Sequence, residues 1–209
     1  PGGLSWEKPV TIKAYQGQLV TLKPNPGADR VLHFNGAARA YIIIDGLILD
    51  AANVTYDAVK ITYSGITPAE AAHHIRLKNC EVKNARGEGI LVIAGSNGNE
   101  FIGLNVHDNG TTDFAHGFYI GGADNLVDGC RVHRNSGTGV QIYSSVDGAH
   151  RNIIRNSLIF DNAQGAARGP GMNLGSGMGN LAYCNLVWGN IGGIDVNNAY
   201  DTGIYHNTV

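Results

Sequence analysis

Five stretches decide the fold when set in a common register: Cys80-Glu81-Val82-Lys83-Asn84-Ala85, Leu104-Asn105-Val106-His107-Asp108-Asn109, Cys130-Arg131-Val132-His133-Arg134-Asn135, Ser157-Leu158-Ile159-Phe160-Asp161-Asn162 and Asn185-Leu186-Val187-Trp188-Gly189-Asn190. Each is an apolar β-stretch running into a turn. All but the first end on Asn, and short strands headed by Gly89, Gly117, Gly139, Gly171 and Gly193 follow. Keyed on the central apolar residue, the register runs Ile48, Val82, Val106, Val132, Ile159, Val187 and Val209, with steps of 22 to 34 residues. Self-similarity at this period marks a solenoid, and the period-2 alternation inside each unit makes it a β-solenoid.

Each unit divides into three strands. The first carries Ile43, Leu77, Phe101, Val127, Ile154, Ala182 and Ile204 inward. It ends in a one-residue kink at Asp45, Asn79, Gly103, Gly129 and Asn156, residue types that tolerate positive φ. The second strand is the repeated stretch itself. The third points Ile90/Val92, Phe118/Ile120, Val140/Ile142, Met172/Leu174 and Ile194/Val196 inward, and a second Asn series (Asn99, Asn125, Asn152, Asn180) opens the next coil. A stacked side-chain amide donates to one coil and accepts from another while satisfying turn backbone, so both series read as structural.

With these features the chain, from about Val10 to Val209, resembles the right-handed parallel β-helices of the pectate-lyase type. The resemblance implies an all-β solenoid with three short strands per coil and about seven to eight coils. It is read as a single β-helix domain over residues 1–209. In such proteins a segment like Pro9-Val10-Thr11-Ile12-Lys13-Ala14-Tyr15-Gln16-Gly17 follows a cap. At the other end Val209 falls inside a second strand, so the sequence reads as a fragment truncated at both ends.

Composition narrows the partners. Gly, at 30 of 209 residues, is about twice its average usage without a collagen period, which means many tight turns. With 15% charged residues and a net charge of −2, no basic field recommends nucleic acid, and no apolar run approaches the ~18 residues of a membrane span. The three cysteines read as free thiols, because Cys80 and Cys130 share a register position two coils apart, near 10 Å. Thr67-Pro68-Ala69-Glu70 has the order of a capping box with Pro at the first helical position, predicting one helical turn after a strand at Ala58–Thr62. The sequons at Asn53 and Asn109 read as accidental.

Side chains that alternate outward are the ones free for chemistry. On the first strand these are Arg76, Glu100, Leu126, Ile153 and Leu181, then Lys78, Ile102, Asp128, Arg155 and Tyr183. The loop Tyr143–Arg151 carries Asp147, His150 and Arg151 and is expected beside Asp128 and Arg155. In the lyases the chain resembles, the substrate groove runs along that face, where a basic residue takes the proton α to a uronate carboxyl and cations offset the enolate. One candidate catalytic cluster is therefore Asp128, His150, Arg151 and Arg155, with Arg76, Lys78, Tyr183 and Trp188 as substrate-binding candidates. Its alternative is a surface ion-pair ladder of slight energetic weight. A second cluster is Asp108, Asp113 and His116, with His133 one coil from His107. Two carboxylates and a His suit glycosidase acid–base work, although Asp113 could instead cap its own loop.

The resemblance does not extend to family motifs. Of the polygalacturonase Gly-His-Gly only Ala115-His116-Gly117 is present, and the Asp-Pro-His-Asp of mannuronan epimerases is missing. No closely spaced acidic cluster supports calcium, so no metal ligand or cofactor is predicted. Leu158, Phe160, Leu186 and Trp188 form an outward apolar patch on two adjacent coils, expected to meet a second subunit or a missing segment. The function implied is an extracellular or cell-surface polysaccharide lyase or glycoside hydrolase acting on an acidic polysaccharide. The alternative is a non-catalytic carbohydrate-binding, adhesive or tailspike-type β-helix.

Overall fold

The computed structural model describes residues 2–65, 67–146, 148–164 and 169–209. Three parallel sheets run the length of the molecule, each strand pairing with its counterpart one coil away. Among the described residues the first sheet has eight strands, including His73–Lys78, Glu100–Ile102, Leu126–Asp128, Ile153–Arg155 and Leu181–Tyr183. The second has seven, among them Leu47–Asp50, Glu81–Lys83, Asn105–His107, Arg131–His133, Leu158–Phe160 and Leu186–Trp188. The third, also of seven, holds Leu32–Asn35, Val59–Thr62, Ile90–Val92, Phe118–Ile120, Val140–Ile142, Pro170–Met178 and Gly192–Tyr200. Together they form a parallel β-helix.

The period-2 pattern supplies the core directly. Leu77, Phe101, Val127 and Ile154 from the first sheet, Val82, Val106, Val132 and Ile159 from the second, and Ile90, Phe118, Val140 and Met172 from the third are each fully buried. At about 25 cal/mol per Å² of apolar area, these inward columns supply the main stabilisation. Cys80 and Cys130 are buried free thiols packed in the same interior, and Cys184 is exposed.

The Asn series are ladders. Asn109 Nδ2 donates to Asn135 Oδ1 (3.0 Å), Asn135 to Asn162 (2.9 Å) and Asn162 to Asn190 (3.0 Å). Asn99, Asn125, Asn152 and Asn180 repeat the arrangement at the other corner. A third ladder, absent from the sequence reading, closes the kink between first and second strands. Cys130 N–H donates to Ser157 Oγ, Ser157 N–H to Asn185 Oδ1, and Asn185 Nδ2 to Asn207 Oδ1. The ladders also account for the heading glycines: a Cβ on Gly117 would lie 2.6 Å from the Gly139 carbonyl oxygen and 2.9 Å from Asn135 Nδ2.

Two expectations need correction. In the first of the aligned coils the inward residues are Ile44 and Leu49, paired with Leu77 and Val82, rather than Ile43 and Ile48. The positive-φ kink there is Gly46, one residue past Asp45. Ile42-Ile43-Ile44 and Leu47-Ile48-Leu49 are unbroken apolar runs and carry no alternation to phase. The helical turn is a 3-10 turn, Pro68–Glu70, whose preceding Thr67 makes no side-chain cap.

Candidate functional site

The outer face of the first sheet is a ladder of satisfied charges. Asp128 Oδ2 accepts from Arg155 Nη2 at 2.7 Å and Nε at 2.9 Å, while Arg155 Nη1 donates to Tyr183 Oη at 3.1 Å. Burial pushes the Asp128 carboxyl up, but Arg155 and Asn156 outweigh it and hold the group below the usual range. Arg76 grips Glu100 through two hydrogen bonds and Lys78 pairs with Asp45. Arg151 turns away from Asp128 and clasps Asp124 at 2.7 Å, and His150 Nδ1 accepts the Met178 N–H at 3.0 Å. The four members of the first candidate cluster are thus not brought together. Asp147 lies outside the described residues.

The second cluster also divides. Asp108 sits on the second-sheet side, where hydrogen bonds from Arg134 first, and then His107, hold its carboxyl down to about 2. His107 and His133 stack 5.0 Å apart, continue through Phe160 (4.7 Å) and end on Trp188 (4.5 Å). Of the apolar patch, Leu186 and Trp188 are exposed while Leu158 and Phe160 are half-covered.

Asp113 and His116 lie elsewhere, at the rim of a cleft on the third sheet. One cavity of about 540 Å³ holds Asp113, Phe114, His116, Gln141, Asn173 and Asp195. An adjoining cavity of about 530 Å³ adds Tyr119 and Tyr143 and shares Phe114, His116, Gln141, Asn173 and Asn197 with the first. The floor follows from strand alternation. Leu91, Tyr119, Gln141, Asn173 and Asp195 are successive outward residues in one register column, reached from Lys60 and His33 at the other end. Asn173 Nδ2 donates to Gln141 Oε1 (3.1 Å) and Asn197 Nδ2 to Asn173 Oδ1 (3.0 Å), fixing the amides as a row. The segment between Asn109 and Gly117 rises beside this floor and holds Phe114 out, 76% exposed.

His116 and Tyr119 stand in the cleft without charge. Burial holds His116 down to about 4. Its Nδ1 accepts the Thr138 N–H at 3.0 Å, so the neutral ring carries its proton on Nε2. His116 stacks on Tyr119, which burial, then Tyr143 and Glu88, push above the ordinary phenol range. Next along, Glu88 stands one coil before His116 and one after Asp57. Burial first, then its hydrogen bond to Asp57, pushes the Glu88 carboxyl up to about 8. Asp57 is itself held by Arg30 Nε at 3.1 Å and the Glu88 N–H at 3.3 Å. Tyr119, Gln141, Asn173 and Asp195 were missed in the sequence, their one signal being shared third-strand register.

Among the described residues no group of three or more His, Cys, Asp or Glu side chains is placed to hold a metal ion. None of the described helices is long and apolar enough to cross a membrane.

Comparisons with known proteins follow the architecture. An alginate lyase from Paenibacillus sp. str. FPU-7 superposes with a TM-score of 0.65 at 16% identity, covering 97% of this chain and 85% of that one. Pectate lyase Pel9A superposes with a TM-score of 0.54, again at 16% identity, over 95% of this chain and 66% of that one. At such identity the likeness is one of fold. No curated protein matches the sequence. The family description "Right handed beta helix region" matches residues 45–209, most of the chain. The chain belongs to the right-handed β-helix family.

Proposed function

We propose that this protein binds an extracellular acidic polysaccharide in the third-sheet cleft and cleaves it by acid–base chemistry, as a polysaccharide lyase. The observation that carries the reading is the cleft floor: aromatic rings of Tyr119 and Tyr143 lead into a row of three amides, Gln141, Asn173 and Asn197. Rings supply sugar-stacking faces, and fixed neutral amides donate to hydroxyl and carboxylate oxygens without competing counter-charges. The two structural neighbours are polysaccharide lyases by name, which agrees with this use of the fold.

In an elimination the chain's own groups divide the work. The amides hold the uronate carboxylate and stabilise the enolate form as charge builds on it. Asp113 is the candidate acceptor of the proton α to that carboxylate. Tyr119, protonated throughout the neutral range, is the donor to the leaving oxygen, and His116 Nε2–H is a second donor. The Asp128–Arg155 pair has no part in this reading.

A hydrolase reading rests on one observation, that Asp113 and Asp195 line the same cavity, as a pair of carboxylates flanking a glycosidic bond would. Incubation with alginate and polygalacturonate, followed by ultraviolet absorbance of unsaturated ends and by reducing ends, decides. The lyase reading requires both signals to rise together and to fall in Asp113→Asn and Tyr119→Phe. Reducing ends alone support hydrolysis. Binding without either signal, retained in both variants, overturns catalysis in favour of a carbohydrate-binding β-helix.

A further inference from the structure

A second site lies off the cleft, where the third strand returns to the first. His73 and His74 are consecutive, so in a regular strand they would face opposite sides. His74 instead has φ +53°, in the left-handed region, and the two rings come to the same side. Their Nδ1 atoms stand 2.6 Å apart with the ring planes at 84°. That conformation is held on several sides. The His74 N–H donates to the Asn97 carbonyl at 3.0 Å, and its ring lies so near Gly98 that a Cβ there would sit 3.0 Å from His74 Nε2. Tyr41 packs against both rings, 4.8 Å from His74 and 6.0 Å from His73, with Trp6 behind it and Arg76 over Trp6 at 4.1 Å. In front is a cavity of about 440 Å³ lined by Pro68, Ala69, His73, His74, Gly95 and Asn97.

We propose that His73 and His74 form a two-nitrogen chelate for a late first-row divalent cation, copper(II) above the others, with water completing the coordination in the adjoining cavity.

Two converging Nδ1 atoms share one proton at this separation, shorter than the ordinary hydrogen-bond range of about 2.7–3.2 Å. A metal ion replaces that proton when both rings turn about Cβ–Cγ to aim their lone pairs at one point in the cavity. With metal–nitrogen bonds of about 2.0–2.1 Å, right-angle ligands lie about 2.9 Å apart and tetrahedral ligands about 3.4 Å apart. The observed spacing therefore opens by only about 0.3 Å for a tetragonal ion, but by about 0.8 Å for tetrahedral zinc. Imidazole donors and the general affinity order favour copper(II) in the same direction.

The test uses the whole chain, without polysaccharide. Copper(II), nickel(II) and zinc(II) chlorides are titrated in separate calorimetric runs, with electron paramagnetic resonance of the copper sample. One equivalent of copper is expected, with nitrogen hyperfine structure, and an association constant at least about tenfold above that of zinc. His74→Ala and His73→Ala should each lower copper association at least about tenfold, with thermal unfolding showing both variants folded. Should a variant fail to fold, selective broadening of the His73 and His74 ring signals by sub-stoichiometric copper in the wild type answers the same question. Equal copper binding by wild type and folded variants, or broadening confined to other histidines, overturns the site. Zinc binding tighter than copper overturns the tetragonal geometry.

Discussion

Two outer faces of the same solenoid, built by the same alternation, are chemically opposite. The first sheet presents Arg76, Glu100, Asp128 and Arg155, the side chains that look most reactive in a sequence, and pairs them with one another. The third sheet presents Tyr119, Gln141 and Asn173, inconspicuous as letters, and leaves them facing a cleft. A charge already matched across one 4.8 Å coil step gains little from a substrate, whereas a row of fixed neutral dipoles is available to one.

The contrast is sharpest when set against the ladders beneath both faces. Asn135→Ala removes the acceptor of Asn109 N–H and Nδ2 and the donor to Asn162, all buried. A loss of about 3 kcal/mol is expected in urea unfolding, the largest effect proposed in this series. Asn173→Ala should change stability by less than about 1 kcal/mol yet weaken oligo-uronate binding about tenfold, read by calorimetry. An equal loss of stability in both variants would erase the distinction between ladder and cleft.

Two buried groups, Glu88 and the cleft's His116, should make stability respond to pH between about 4 and 8. Glu88 is raised when folded, so the unfolded chain gives up that proton first. Stability should therefore fall as pH rises from about 4.5 towards 8. His116 is lowered when folded, so its contribution is lost as pH falls from about 6.5 towards 4. Between about 4.5 and 6.5 the two opposing slopes cancel, so thermal unfolding should show a broad plateau there with a decline above it, and Glu88→Gln should flatten the alkaline decline. A decline unchanged in that variant would move its origin away from the Asp57–Glu88 pair. The smallest effect is expected at Arg155→Met. A half-buried ion pair still open to solvent contributes about 1 kcal/mol, and turnover of polysaccharide should be unchanged. Lost turnover in a folded Arg155→Met protein would restore the first face as the site.

Much of the architecture was legible because the inward columns stay apolar from coil to coil and two of the ladders repeat Asn at each position. The third ladder was hidden because its rungs change identity, from Ser157 to Asn185 and Asn207, while the hydrogen-bond role stays the same. The first aligned coil was misphased by one residue because three consecutive isoleucines give no alternation. The cleft was half visible. Asp113 and His116 drew attention as a local cluster, but concavity depends on where the chain rises beside the sheets. A column such as Tyr119, Gln141, Asn173 and Asp195, spread over four coils, has no signature along the sequence. Likewise the meeting of His73 and His74 depends on one left-handed residue that nothing in its type demands.

The Asn ladders have a direction. From Asn109 to Asn162 each rung donates through Nδ2 to the Oδ1 of the coil that follows, while the same Nδ2 also reaches back to a backbone carbonyl of the coil before. Replacing a single rung by Asp therefore has effects on both sides: the preceding coil keeps its side-chain acceptor but loses the donor to its carbonyl, and the following coil loses its donor. The amide chain runs one way along the axis, and each rung staples three successive coils.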